Sequence, residues 1–321
     1  MPGAFPYTVA YLPRTKLAYV NLPGVLHDGK RDRSARVPGF VAVQLGEFCY
    51  LMFLRAGEPF QAGVLGPDRR GLLPIAEVVR RAAAENERGE AGAIGYYGAP
   101  EHQLRAMLAT LAQPEVPLPA EVASRPERLF PYLQGERASG VLELVDDHGW
   151  HYLCFRDGEL EGVYLAERPP QLSAAQFLEA MFARRPPQVR WFPPLERLPD
   201  QAPPTLVELY QRLVNRLARE LQPLLGPDLE PLLARTHATV AAQHPALAAI
   251  APPPHPPPSP PLVAAEDLGE AVAAWLVDLL DEARGRARFD PMDLLARAAA
   301  EDRFALDQQR LWARLPWPLP I

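Results

Sequence analysis

The run Asp146-Asp147-His148-Gly149-Trp150-His151 brings together the residue types with the greatest chemical potential in this chain. Two imidazoles three residues apart beside paired carboxylates resemble a ligand set for a divalent ion, and a water bound to such an ion would support metal-dependent hydrolysis. The same residues also suit a solvated hairpin loop, where Asp and Gly serve the turn itself. A second histidine pair, His237 and His244, lies seven residues apart on one face of an expected helix and reads as two surface histidines. Two further sets match at an offset of 101 residues: Arg55, Gly57 and Glu58, then Arg156, Gly158 and Glu159. Each encloses a glycine between an arginine and a glutamate. A tight turn with solvated flanks explains that pattern, and a contact with an anion or a partner is the alternative.

Other signatures of catalysis are absent from the sequence. Gly92-Ala-Ile-Gly-Tyr-Tyr-Gly98 lacks the lysine and following helix of a phosphate loop, and neither G-x-S-x-G nor H-E-x-x-H occurs. No catalytic, cofactor-binding or metal residue is assigned, and the six matched residues are assigned to structural turns. The expectation is a chain that binds rather than catalyses.

The elements that carry these residues are arranged as a duplication. Gly39-Phe-Val-Ala-Val43 aligns with Gly140-Val-Leu-Glu-Leu144, and the same register aligns the two Arg/Gly/Glu sets. In each copy an apolar run, a polar loop and a second apolar run precede the glycine turn: 40–43 and 49–54, then 141–145 and 150–155. Asp157-Gly158 is a strong two-residue hairpin signal, because glycine supplies the positive φ that such turns need. A third strand is expected over 59–65 and 160–165. A helix follows from Leu72 and from Leu172, the latter opened by the capping box Ser173-x-x-Gln176. A short aromatic strand closes each copy, at 93–97 and 188–192. A further helix, Arg125–Leu133, leads into the second copy.

The second copy resembles the PATAN domain, a family named for the N-terminal region of a cyanobacterial response regulator. The resemblance is carried over about 125–195 by Ser139-Gly140-Val141-Leu142, by Tyr152-Leu-Cys-Phe155-Arg-Asp-Gly158-Glu-Leu160, by the small-residue helix 174–183 and by Val189-Arg-Trp191-Phe192. The first copy, about 16–112, is a diverged relative. It has Pro38 where the pattern has a small hydroxyl residue, and a polar stretch, His27–Ser34, where the leading helix should continue. The resemblance implies a non-enzymatic protein-interaction adaptor in bacterial signalling, with links to type IV pilus motility or response regulators. A response regulator, a motor ATPase or a small GTPase is the implied partner. Regulation of such a GTPase or ATPase is the second reading, and a metal-dependent hydrolase on the 146–151 loop is the third.

Beyond a proline cluster at 193–204 the pattern turns helical. Thr205-x-x-Glu208 reads as a capping box, and Leu206, Leu209, Tyr210, Leu213, Leu217 and Leu221 form one apolar stripe. Gly226-Pro227 ends that helix, and further helices are expected over 228–242, 268–280, 290–301 and 306–315. The prolines of 251–261 favour an extended spacer, and the apolar tail 315–321 is expected to dock on its own body. The fold class is therefore α+β: two tandem hairpin-plus-helix units, 1–115 and 120–200, followed by an all-α domain, 204–321.

Composition sets outer limits. With 48% hydrophobic and 22% charged residues in 321, a globular core is expected. The net charge of −6 argues against a nucleic-acid partner, which calls for a basic face. Cys49 and Cys154 sit in apolar runs without metal or disulfide spacing, which suits buried thiols in a reducing compartment. No run approaches the roughly 20 apolar residues that span a bilayer, and Met1–Pro6 lacks the pattern of a signal peptide. A cytoplasmic protein without cofactor or membrane insertion is expected.

Overall fold

A computed structural model describes residues 4–31, 38–88, 92–197, 200–255 and 262–317, apart from the side chains of 27–31. The chain divides into two compact units, 1–198 and 199–321. Both copies of the repeat fall in the first. In chain order that unit contains β1 (Val9–Lys16), α1 (Leu22–Arg31), β2 (Gly39–Leu45), β3 (Phe48–Arg55), β4 (Glu58–Leu65), β5 (Arg70–Leu72), α2 (Ile75–Arg88), β6 (Ala93–Gly98) and α3 (Glu101–Ala112). It continues with α4 (Ala120–Ala123), α5 (Pro126–Gly135), β7 (Gly140–Val145), β8 (Trp150–Arg156), β9 (Glu159–Tyr164), α6 (Ala174–Arg184) and β10 (Gln188–Phe192).

These strands form two antiparallel sheets, ordered β1-β6-β2-β3-β4-β5 and β10-β7-β8-β9. The core of each is one meander plus a closing strand, and the two copies match in register. Gly39 pairs with Leu54 as Gly140 pairs with Phe155, and Arg55 pairs with Glu58 as Arg156 pairs with Glu159. Even the register irregularity recurs at the same place, between Phe53 and Leu54 and between Cys154 and Phe155. Both hairpins turn through two residues of positive φ, Ala56 (51°) with Gly57 (78°) and Asp157 (49°) with Gly158 (83°). That is the turn geometry that follows the natural twist of paired strands. The first strands also start alike. A Cβ on Gly39 would lie 2.4 Å from the Tyr97 carbonyl oxygen, and one on Gly140 would lie 2.4 Å from that of Phe192. The duplication extends to backbone detail.

The strands lack clean polar alternation because both faces of each sheet are covered. The outer face of the first sheet (Val41, Val43, Tyr50, Met52, Leu54) packs on Ile75, Val78 and Ala82 of α2. Its counterpart in the second (Leu142, Leu144, Leu153, Phe155) packs on Leu129 and Leu133 of α5 and on Leu178, Met181 and Phe182 of α6. The remaining faces, Phe40, Leu51 and Phe53 in one and Val141, Trp150 and Tyr152 in the other, share one core with α3. Leu104, Met107, Leu108 and Leu111 of α3 are all buried in it, each worth roughly 2 kcal/mol on removal from water.

Polar contacts reinforce this junction. Glu143, fully buried on β7, accepts from Arg70 of β5 through both guanidinium nitrogens, at 2.7 and 3.1 Å. Arg190 of β10 approaches the same carboxylate at 3.7 Å. Burial, with the Glu143 charge adding to it, pushes the neighbouring Tyr152 phenol well above 10. The N-terminal segment adds a clasp: Trp150 N–H donates to the Ala4 carbonyl (2.9 Å), and Phe5 stacks on Trp150 with ring centroids 4.5 Å apart.

The second unit is helical: α7 (Pro204–Leu225), α8 (Leu229–Gln243), α9 (Ala265–Arg284), α10 (Pro291–Ala299) and α11 (Arg303–Gln308). The apolar stripe of α7 faces the core as expected. Its start differs: the helix begins at Pro204 with no side-chain cap, so Thr205 and Glu208 form no capping box. The expected helix 306–315 is shorter. It ends at Gln308, Arg310 takes positive φ (54°), and the Leu311 N–H donates to the Leu306 carbonyl at 3.2 Å. This closure returns Leu311 to the core beside Leu306.

His237 is not the surface residue expected. Its Nε2 donates to the Ile250 carbonyl (2.9 Å), and its ring meets buried Trp275 edge-on. Gln211 spends its side-chain amide on the Ala251 backbone, donating to its carbonyl and accepting from its N–H, both at 2.9 Å. On the far side of the proline-rich stretch, Ala202 and Ala265 N–H groups donate to the Val263 and Asp200 carbonyls. Residues 256–261 of that stretch, 32–37 of the first copy's polar stretch and 318–321 of the tail lie outside the described residues. Before them, Leu315 and Trp317 pack on the helical core. No helix among the described residues is long and apolar enough to cross a membrane.

The two kinds of ion pair in this fold should differ sharply in worth. Replacing Arg70 leaves the buried Glu143 carboxylate with only the 3.7 Å approach of Arg190, so Arg70→Met is expected to lower the unfolding free energy by roughly 2–4 kcal/mol in urea titration. Arg185→Met breaks the solvent-exposed pair with Asp147 and should cost less than about 1 kcal/mol. Equal losses would mean that the Glu143 contact does not hold the sheets together.

Candidate functional site

The six matched turn residues fall where the sequence places them, at the tips of the β3–β4 and β8–β9 hairpins. In the second copy the tip is tied down. The Gly158 N–H donates to the Ala138 carbonyl and the Asp157 N–H to the Ser139 hydroxyl, both at 2.9 Å. Ser139 and Gly140 thus have separate structural duties, one holding the turn and the other admitting the Phe192 backbone. Arg156 reaches Glu161 at 3.0 Å on the surface, while Arg55 lies over the Phe60 ring. The two sets occupy equivalent turns and make different side-chain contacts.

At the opposite end of the second hairpin lies a cleft. It measures about 680 Å³ and opens between the β7–β8 loop, the segment after β9 and the length of α6. Ser173 caps α6 by accepting from the Gln176 N–H (3.2 Å), while Gln176 returns the bond to the Ser173 N–H (2.9 Å). This fixes where the helix starts, and hence which side chains it turns to the cleft. Val145, Leu172, Phe177, Ala180 and Met181 supply an apolar lining, and Asp146, Asp147, His148, Glu167, Arg184 and Arg185 stand around it.

The Asp146–His151 loop therefore borders a real cavity, but its side chains are drawn apart. Asp146 accepts from the His148 and Gly149 N–H groups at 2.8 and 2.9 Å, which shapes the loop. His151 is fully buried. Its Nδ1 accepts from the Ala166 N–H at 3.0 Å, which leaves the proton on Nε2, 3.3 Å from Asp146. His148 turns outward, and its Nε2 accepts from Arg184 at 2.8 Å. Asp147 pairs with Arg185 at 3.0 Å. No group of three His, Cys, Asp or Glu side chains among the described residues is arranged to hold a metal ion.

The electrostatics follow from these contacts. Burial lowers the His151 pKa below its ordinary 6.5, and the Asp146 carboxylate opposes this without overcoming it. For Asp146, burial acts to raise the pKa, but the backbone donors and His151 outweigh it and hold the carboxyl low. Burial pushes the Cys49 thiol up to about 12 and the Cys154 thiol up to about 11, which favours the protonated form at neutral pH.

The first copy has a cleft of about 410 Å³ at the corresponding place, between the β2–β3 loop and α2. There Tyr50 stands where the second copy has His151. Arg81 lies across it, its Nη1 donating to the Tyr50 hydroxyl at 3.1 Å while its Nε bonds to Glu77. A guanidinium thus bridges the first cleft, whereas the second keeps an open apolar floor. Sequence reading singled out the loop but missed the floor, because Leu172, Phe177 and Met181 look like ordinary core positions of an amphipathic helix. No family model, curated protein or solved structure matches the chain.

Acid should weaken this region. When the pH falls through 6.5, the ordinary value of histidine, the unfolded chain binds a proton at residue 151 that the folded chain resists. Stability is then lost as the pH falls, by at most about 1.4 kcal/mol per pH unit for one proton. His151→Gln should flatten that part of the profile, measured by urea unfolding between about pH 7.5 and about pH 5.5. An unchanged slope would show that His151 takes its proton as readily in the folded chain.

Proposed function

We propose that this chain is a non-catalytic protein-interaction adaptor whose α6 cleft takes up a segment of a partner protein. One observation carries the reading: the titratable side chains of the β7–β8 loop at the cleft are bonded to neighbouring side chains, while the surface between them is apolar. His148 with Arg184, Asp147 with Arg185 and Asp146 with His151 occupy each other's donors and acceptors. An apolar floor with a charged border is the arrangement that buries side chains of a docked chain and orients it by its rim. The asymmetry between copies supports the same reading, since the first cleft is bridged by Arg81 and serves the fold.

The resemblance of the second copy to PATAN domains adds what kind of partner to expect: a response regulator, motor ATPase or small GTPase of bacterial signalling, with type IV pilus motility as a setting. The net charge of −6 favours a protein over a nucleic acid. The unpaired thiols, Cys49 buried and Cys154 half-buried, suit a cytoplasmic location.

Ala180 is exposed and borders the cleft, so Ala180→Arg should fill the cleft mouth with little loss of stability. Full-length chain carrying Ala180→Arg should lose the proteins that co-purify with the wild type after cross-linking in cells. Ala242→Arg, an equally exposed change on α8, should retain them. Identical recovery by all three chains would overturn the assignment of the cleft.

A further inference from the structure

A separate surface, independent of the cleft, is the edge of the second sheet. A strand at a sheet edge presents unpaired N–H and C=O groups, which folds normally blunt with proline, lysine, bulges or a covering segment. Three of the four edges here are treated in this way. β1 carries Pro13 and Lys16 and pairs with two register irregularities. β5 has only three residues. β10 is covered at Trp191, whose carbonyl accepts from the Val116 N–H at 2.9 Å.

β9 is the exception. It has six residues and no proline, and it pairs only with β8. None of the backbone hydrogen bonds among the described residues reaches its outer side. The first copy shows a strand added at the far end of this edge. β4, the counterpart of β9, is flanked by β5, which pairs Leu72, Gly71 and Arg70 with Gly63, Val64 and Leu65, the residues that answer to Tyr164, Leu165 and Ala166. β4 has the same irregularity near its start as β9 and still accepts this strand beyond it. In the second copy, no described strand takes the place of β5.

We propose that β9 is a docking edge that takes up a short extended segment of a partner protein as an added strand, and that it favours a basic segment. Glu159, Leu160 and Glu161 are all exposed, Leu160 at 48%. The strand has two carboxylates and no cation of its own. Arg156 meets Glu161 only in an exposed pair, which a competing cation displaces at little cost. A second copy's β9 is disfavoured, because antiparallel self-pairing sets carboxylates against carboxylates. Main-chain bonds give affinity in such an addition, and the flanking side chains give selectivity.

The probe is a capped hexapeptide alternating arginine and valine, added to the full-length chain, with backbone amide hydrogen exchange as the readout. Binding should slow exchange at alternate amides of 159–164. A peptide of the same sequence N-methylated at alternate residues should leave them unchanged, as should one of the same composition in block order. Glu159→Lys with Glu161→Lys should weaken binding about tenfold, and Ala180→Arg should not. Unchanged β9 exchange at the solubility limit, equal slowing by the N-methylated peptide, or protection at β1 instead would each overturn the proposal. Loss of binding on Ala180→Arg would also overturn it by moving the peptide to the cleft. Failure at β9 alone leaves the cleft assignment standing, because that rests on its own variant.

Discussion

Each copy of the repeat is a sheet with two apolar faces and only enough helix of its own to cover one. α2 shields the outer face in the first copy, and α5 and α6 do so in the second, which leaves two equivalent faces exposed to water unless something lies between them. α3 meets that requirement. From Gln103 to Leu111 it is buried at every position except Arg105, as a helix must be when it has a sheet on either side. The paired strands, the placing of the β7–β8 loop and the opening of the α6 cleft all assume this shared layer.

Burying a carboxylate in the layer is costly, and Glu143 is tolerated because Arg70 meets it with two nitrogens. In the first copy the equivalent position is Ala42, so the charge belongs to one copy and its main partner to the other. The repeat has become a heteromeric pair within one chain. The same division is visible at the two clefts, where Arg81 lies across Tyr50 in one and the corresponding His151 of the other is buried against Ala166 and Asp146. The two copies share a backbone plan and differ in the side chains that line its clefts.

Much of this was legible in the residues. The offset of 101 holds through strands, irregularity and turn because Gly39/Gly140 and Gly57/Gly158 answer to backbone constraints that tolerate little else. The capping box at Ser173 and the proline-led start of α10 at Asp290 are local signals and were realised locally. What escaped was non-local. α3 has no polar face and so no stripe to read, β1 breaks its alternation at Pro13, and β5 is too short for a period. Thr205-x-x-Glu208 has the spelling of a capping box, but Pro203 and Pro204 start the helix before it. His237 looked like a surface residue because nothing near it in sequence announces Trp275 or the Ile250 carbonyl. At the cleft, residue types identified the loop, and only the fold shows that its imidazoles face in different directions.

The Gln211 carboxamide, bonded twice to Ala251, acts as a one-residue strand at the entrance of the proline-rich stretch, and the backbone bonds of Ala202 and Ala265 close the far side. These bonds hold both ends of the connection on the helical unit. A change in the length of chain that joins them is felt through loop closure, where each doubling costs about 0.6 kcal/mol. Insertions and deletions there should therefore accumulate freely over evolutionary time. The same bond pair offers protein engineers a ready point at which to graft a foreign segment without disturbing the bundle.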